Sequence, residues 1–238
     1  MKGKDCIRKT AIAAALCGVL SPLAAQDRVE ATVQGDVVSQ YIWRGQDMGA
    51  VSLQPTLGLA YKGLSLTAWG SVGLSEPDGT KELDLTLAYK TGGLNIGVTD
   101  YWFNKPNDRY FCYDAHKTSH VFEANIGYDF GSVAMQWYTN FAGNDGLNRS
   151  GKRAYSSYAE VSAPFRLAGC QWTAAVGAVP YATSFYADAG GFAVTNVSLR
   201  AAKDIHVTKT FTLPLFASVS ANPSTEKVYM VFGFTLRP

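Results

Sequence analysis

Charge, cysteine and histidine are all scarce in this chain of 238 residues. Charged residues make up 17% of it, and it has four cysteines and three histidines. None of the histidines has a serine partner in a recognisable catalytic motif, and no glycine-rich phosphate loop occurs. His116 and His120 are four residues apart near Asp114, but such spacing forms a metal site only on a helix, and this stretch reads as a loop. The sequence therefore predicts no enzyme, no catalytic residue, no metal site and no cofactor.

Long apolar runs are also missing, apart from a short one near the N-terminus. Residues 1–25 have a basic start, an apolar core from Thr10 to Leu20 and small residues up to Ala25, which is the pattern of a cleaved secretory signal peptide. The mature chain, residues 26–238, has no apolar run near the ~18 residues that a membrane helix needs. The sequence predicts export through the Sec pathway and a single domain after cleavage.

Removal of this segment changes the charge and the cysteine content. The formal net charge of +2 falls to −1, because four basic residues and one acidic residue leave with residues 1–25. The slight basicity of the whole chain therefore indicates no nucleic-acid partner. Cys112 and Cys170 remain, and we expect them to be unpaired because they fall at opposite ends of the strands predicted below.

What the mature chain does have is a repeated alternation of apolar and polar residues. From Val29 to Arg44 one set of alternate positions is mostly apolar and the other mostly polar, as in a strand with two different faces. The pattern recurs, with short and long connections in turn. It predicts twelve strands, at 29–44, 52–62, 64–74, 81–90, 94–103, 120–130, 133–141, 154–167, 170–179, 192–202, 211–220 and 227–236.

Strands of about ten residues with this rhythm are typical of an outer-membrane barrel. A soluble β-sandwich, or a lipocalin-like barrel with an apolar interior, would also alternate. Two features favour the membrane barrel: the apolar face carries aromatic residues near strand ends, and the polar face is rich in charge. The predicted fold class is all-β, a single up-and-down antiparallel transmembrane β-barrel of about twelve strands.

The two faces predict two groups of functional residues. The apolar face predicts an aromatic girdle at the membrane interfaces: Tyr41, Trp43, Tyr61, Tyr89, Trp102, Trp137 and Trp172. The polar face predicts lumen residues that set selectivity: Arg44, Asp36, Glu82, Asp84, Glu123, Glu160, Arg166 and Arg200. Arg44, Glu82, Asp84 and Glu123 should share the outer half of the barrel. These charges could select solutes, or could form an ion-pair network that stiffens or plugs the barrel.

Several segments resemble a known family. Residues 39–45 read SQYIWRG and resemble the early S-x-Y-x-x-R-G motif of the TorF family of proposed porins. Gln54-Pro55, Trp69-Gly70-Ser71 and Glu82-Leu83-Asp84 followed by Tyr89 appear in that family's order, and Tyr158-Ala159-Glu160-Val161 is similar to its later strand motif. The chain departs from outer-membrane barrels that finish on an aromatic residue, since its last aromatic is Phe234. The resemblance implies an outer-membrane barrel of a Gram-negative bacterium, with a pore-forming role.

We therefore expect a porin in the outer membrane that lets small hydrophilic solutes or ions diffuse passively. The alternative is a closed barrel with a structural or ligand-binding role through its extracellular loops. Outer-membrane lipid, and the barrel assembly machinery during biogenesis, are the other partners that this interpretation implies. The sequence leaves open the solute, the oligomeric state and whether the lumen is open or plugged.

Overall fold

A computed structural model describes residues 28–75, 81–104, 108–114 and 117–238. The predicted signal peptide, Gln26 and His116 lie outside the described residues. In the part of the chain that is described, no helix could span a membrane. Its strands are β1 (Glu30–Val38), β2 (Tyr41–Trp43), β3 (Gln46–Gly49), β4 (Ser52–Tyr61), β5 (Leu64–Gly73), β6 (Lys81–Thr91), β7 (Leu94–Asn104), β8 (His120–Asp129), β9 (Ala134–Gly143), β10 (Ser157–Leu167), β11 (Cys170–Val179), β12 (Ala193–His206), β13 (Thr212–Asn222) and β14 (Lys227–Leu236).

Twelve of these strands close into one antiparallel barrel. From β4 to β14 each strand pairs with the next one in the chain, and β1 closes the ring between β14 and β4. Strands β2 and β3 form a separate two-stranded hairpin. The predicted fold, a single up-and-down barrel of about twelve strands, is confirmed.

Short turns join the strands at one end of the barrel, which we call the turn end. Lys62 and Gly63 form one of them, with φ of 49° and 85°, as in the left-handed two-residue turns that match strand twist. Glycine is required at the second position, because an added Cβ would lie 2.3 Å from the Lys90 carbonyl oxygen. The opposite end, the loop end, carries longer connections, including 39–51, 144–156 and 180–192. Cys112 lies at the loop end and Cys170 next to the turn 168–169, at opposite ends of the barrel as predicted, and both are free.

The two faces of the wall differ in polarity. On β6 the side chains of Leu85, Leu87 and Tyr89 are 37–53% exposed on the outside. On the same strand Glu82 and Asp84 point inward and are buried. The same alternation on the other strands gives the barrel an apolar outer surface and a polar interior.

The aromatic residues predicted for the girdle divide into two groups. Tyr61, Tyr89 and Trp137 are 40–45% exposed on the outer surface, and the half-buried Trp102 and Trp172 also belong to its outward-facing rows. Tyr41 and Trp43 are instead buried in an interior cluster. Their assignment to an outer girdle is therefore wrong.

The cause is an early end of the first strand, which was predicted to run from Val29 to Arg44. It leaves the wall after Val38, and its last contact is made by Ser39, which bonds to the backbone of Phe232 through both its amide and its hydroxyl. The chain then forms the β2–β3 hairpin, whose tip has left-handed φ values at Arg44 and Gly45, 50° and 78°. This two-residue turn folds the hairpin into the lumen, where its aromatic side chains are buried.

Candidate lumen constriction

Arg44, at the tip of the β2–β3 hairpin, is the centre of the filled part of the lumen. Its Nη1 lies 2.5 Å from Glu123 Oε2 on β8, and its Nη2 lies 3.0 Å from Glu123 Oε1. Both side chains are almost fully buried. This two-point pairing fixes the position of the guanidinium as well as neutralising it.

Aromatic rings surround the same guanidinium. Its Cζ lies 4.5 Å from the ring centre of Trp43, 4.0 Å from that of Tyr138, 4.8 Å from that of Tyr158 and 5.4 Å from that of Tyr186. Cations are attracted to ring faces at such distances, and more strongly away from water. The ion pair and the rings together hold the hairpin tip inside the barrel.

The hairpin reaches across the lumen and contacts the wall on several sides. Tyr41 packs on Trp69 of β5 at 5.5 Å between ring centres, and Trp43 packs on Tyr101 of β7 at 5.6 Å. Farther along, the Gly45 carbonyl accepts a hydrogen bond of 3.0 Å from Asn222 of β13. Trp69 pairs in regular register with β4 and β6, and its inward-facing ring packs on the hairpin.

The connection between β11 and β12 completes the constriction. Phe185 and Tyr186 turn inward, with ring centres 6.1 Å and 5.6 Å from that of Trp43. The Tyr186 hydroxyl accepts from Arg44 at 2.5 Å and donates to Glu123 at 2.8 Å. Burial, opposed by the Arg44 charge, raises the pKa of Tyr186 well above its usual value, so the phenol stays protonated. Sequence reasoning missed Tyr186, because the segment has the composition of an ordinary surface loop.

Two carboxylates predicted to line the lumen lie beside this cluster. Glu82 and Asp84 on β6 are buried with Arg44 and Glu123 on the loop side of the barrel, the half in which all four were expected. Glu82 Oε2 and Asp84 Oδ1 have no hydrogen-bond partner. Their position in the lumen is the one that the alternation predicted, but their role in selectivity stays a prediction.

The other predicted lumen residues are not bonded to Arg44, although Glu160 reaches the edge of its cluster through Tyr158. Glu160 accepts a hydrogen bond of 2.7 Å from the Tyr158 hydroxyl, and Asp36 accepts one of 2.6 Å from Thr235. The Arg200 guanidinium stacks 3.7 Å above the Phe216 ring on the inner wall. Arg166 is exposed next to the turn 168–169. These four do not form one cluster, and their selectivity role stays a prediction.

A separate polar contact lies on the outer side of the wall, where an apolar row carries one acidic residue. Asp100 belongs to an outward-facing row of β7, and its Oδ1 lies 2.7 Å from Nδ1 of the fully buried His120. The other ring nitrogen of His120 lies 2.6 Å from the Tyr110 carbonyl oxygen. The rings of Tyr110 and Tyr113 cover the imidazole, with centres 5.0 Å and 4.7 Å away. His120 therefore ties the loop around residues 108–114 to the outer wall.

Metal binding has no support in the described part of the chain. Within residues 28–75, 81–104, 108–114 and 117–238, no three His, Cys, Asp or Glu side chains are grouped closely enough to hold an ion.

Comparisons with known proteins give only structural likenesses. No protein-family model and no curated protein matches the chain. The barrel is similar to the structure of a porin, with 13% identity and a TM-score of 0.38 over 81% of this chain and 63% of that one. It is also similar to the COG4313 outer membrane channel from Pseudomonas putida F1, with 13% identity and a TM-score of 0.41 over 91% of this chain and 98% of that one. The chain spans less than two thirds of the length of the porin.

Proposed function

We propose that this chain is an outer-membrane channel of the porin type, through which small hydrophilic solutes or ions diffuse passively. The observation that carries the proposal is a closed ring of twelve strands with an apolar outer surface and a polar interior. In a bilayer every backbone polar group must be satisfied within the protein, and a closed barrel achieves this. An aqueous lumen, in turn, requires the inward side chains to be polar.

The proposal extends to export and partners. Residues 1–25 act as the cleaved signal for the Sec pathway, and residues 26–238 form the barrel domain. The outer surface contacts membrane lipid, and the barrel assembly machinery inserts the chain. The resemblance of residues 39–89 to the TorF family supports the same role and names no solute.

The lumen itself differs between its two halves. Near the turn end it is lined by partly exposed small polar side chains, such as Thr67, Thr86, Asn95 and Gln136. Near the loop end the β2–β3 hairpin and the inward-turned Phe185–Tyr186 fill it. We therefore propose that the hairpin is the constriction that sets how much the channel conducts.

A second candidate is a barrel that stays closed and acts through its loops. The burial around Arg44 favours it, because Tyr158, Asn140 and Tyr186 are 0–1% exposed. Side chains buried to this degree fill the loop half of the lumen around Arg44.

Conductance in planar bilayers separates the two candidates. The test compares the natural chain with a variant in which residues 41–49 are replaced by a short Gly-Ser linker. A control variant shortens the exposed tip 149–152 by the same means. We expect larger conductance steps after removal of the hairpin and no change in the control. If no steps occur with or without the hairpin, over a range of salts, the channel proposal is wrong and the closed barrel stands.

A further inference from the structure

We propose that Glu82 and Asp84, together with the aromatic rings beside them, form a binding subsite for a small organic ammonium ion. The proposal deepens the channel function and rests on it, because a solute must reach the constriction to meet this subsite.

Two acidic groups are buried side by side in the lumen. Glu82 and Asp84 are alternate residues of β6, both point into the lumen, and they are 6% and 9% exposed. Glu82 Oε2 and Asp84 Oδ1 are each enclosed without a hydrogen-bond donor. A buried carboxylate oxygen without a partner is costly. The pair therefore has unused capacity to accept from a cation.

The two carboxyl groups have no ion-pair partner among the described residues. The nearest buried cation, Arg44, is committed to Glu123 at 2.5 Å and 3.0 Å. The other ion pairs among the described residues are Lys117–Asp114, His120–Asp100 and Arg237–Asp204. None involves Glu82 or Asp84, so neither carboxyl group has an ion-pair partner among these residues.

The surroundings of the two carboxyl groups are aromatic. Trp69 on β5 and Tyr101 on β7 lie directly opposite Asp84 on the two neighbouring strands. Tyr41 and Trp43 of the hairpin pack on these two rings. Carboxylates between aromatic faces suit an alkylated ammonium group, since the charge meets the oxygens and the alkyl groups meet the rings. A strongly hydrated metal cation would gain less from such walls.

One competing explanation needs no ligand. Glu82 and Asp84 also hydrogen-bond to each other, and Tyr41 hydrogen-bonds to Glu82. Two neighbouring carboxyl groups can share a proton, which removes half of the charge. The experiment must therefore separate a bound ammonium ion from a shared proton.

The test is a titration of the purified full-length mature barrel in detergent with tetramethylammonium chloride. Sodium chloride keeps the ionic strength constant, and tryptophan fluorescence is the readout, because Trp69 lies at the subsite. We expect a saturable change in the natural chain. Glu82→Gln and Asp84→Asn, alone and together, should weaken the apparent affinity by at least about tenfold. Asp36→Asn, a lumen carboxylate bound to Thr235, should leave the affinity unchanged.

Each other outcome overturns the inference. Equal saturable responses to sodium, potassium and tetramethylammonium would assign the carboxylates to inorganic cations. No saturable response to any cation would leave the shared proton as the explanation. Heat-modifiable migration on gels checks that each variant is folded. If a carboxylate variant fails to fold, Trp69→Leu, which keeps both carboxylates, replaces it and should also weaken binding. Because this variant lacks the fluorescent reporter, its binding is measured by isothermal titration calorimetry. Binding in detergent needs no open pore, so a non-conducting barrel that binds would refute the channel and not the subsite.

Discussion

Replacement of Arg44 by methionine should release the hairpin from the lumen. The substitution removes the charge but keeps an unbranched side chain among the surrounding rings. It leaves Glu123, 2% exposed, without its cation. Tyr101 and Tyr186 still donate to Glu123 at 2.8 Å each, but two phenols do not neutralise a carboxylate.

The expected loss of free energy holding the hairpin in place follows from the burial of the Arg44–Glu123 pair. Loss of one partner of a buried ion pair costs about 3–5 kcal/mol, because the other charge stays uncompensated. Since about 1.4 kcal/mol is a factor of ten, the open form of the hairpin should become roughly 150- to 4,000-fold more populated. The double variant Arg44→Met/Glu123→Gln removes both charges and should recover most of this loss.

Hydrogen exchange measured by mass spectrometry tests the reasoning. The amides of residues 41–49 should lose protection by two to three orders of magnitude in Arg44→Met, while those of β12 and β13 should keep theirs. The double variant should lie close to the natural chain. If Arg44→Met changes hairpin protection less than about threefold, the ion pair does not hold the hairpin. If the double variant is as open as the single one, the rings and not the charges carry the effect.

Two further substitutions test other contacts. Gly45→Ala should also free the hairpin, at a cost of at least about 2 kcal/mol, because its Cβ would lie 1.8 Å from the Thr195 carbonyl oxygen at a φ of +78°. The control in the same exchange assay is Gly35→Ala, whose Cβ meets nothing closer than 3.7 Å. Equal protection of the hairpin amides in both variants would contradict the close approach. His120→Ala should speed tryptic cleavage after Arg109 by about tenfold, because the loop loses its hydrogen bond to the imidazole. Cleavage in the other loops is the internal reference. An unchanged rate would mean that the loop is held by its own packing.

The wall of this barrel could be predicted from the sequence, because polarity that alternates with every residue of a strand shows which side chains face outward. An example is β6, where Leu85, Leu87 and Tyr89 face outward and Glu82 and Asp84 face inward. The strands paired with β6 show the same alternation. Neighbouring strands joined by short turns then fix the order around the ring.

The hairpin could not be predicted in the same way. Beyond Val38 the apolar row continues with Tyr41 and Trp43, and the polar row with Gln40 and Arg44. The pattern therefore does not mark the residue at which the strand leaves the wall. What separates them is tertiary: the Arg44–Glu123 pair joins residues 79 positions apart, and Tyr186 adds a third partner from a distant loop.

The position of Asp100 shows the same limit on the outer face. On the sequence it is a charge in an apolar row and suggests a misplaced register. The register is regular, and the charge is satisfied by His120 beneath the covering loop. Long-range polar pairing of this kind leaves no periodic signal.

The early departure of β1 from the wall also affects how the ring holds together. Register between β1 and β14 extends only from Gly35–Val38 to Gly233–Leu236, with one more rung from Ser39 to Phe232. The part of β14 nearer the loop end, residues 227–231, is therefore paired with a strand of the barrel on one side only. Because the free energy that resists separation of two strands grows with the length of their ladder, this seam is the mechanically weakest line in the wall. Thermal opening of the barrel should begin at this seam. The residues that leave the wall to fill the lumen therefore also determine where the barrel first opens.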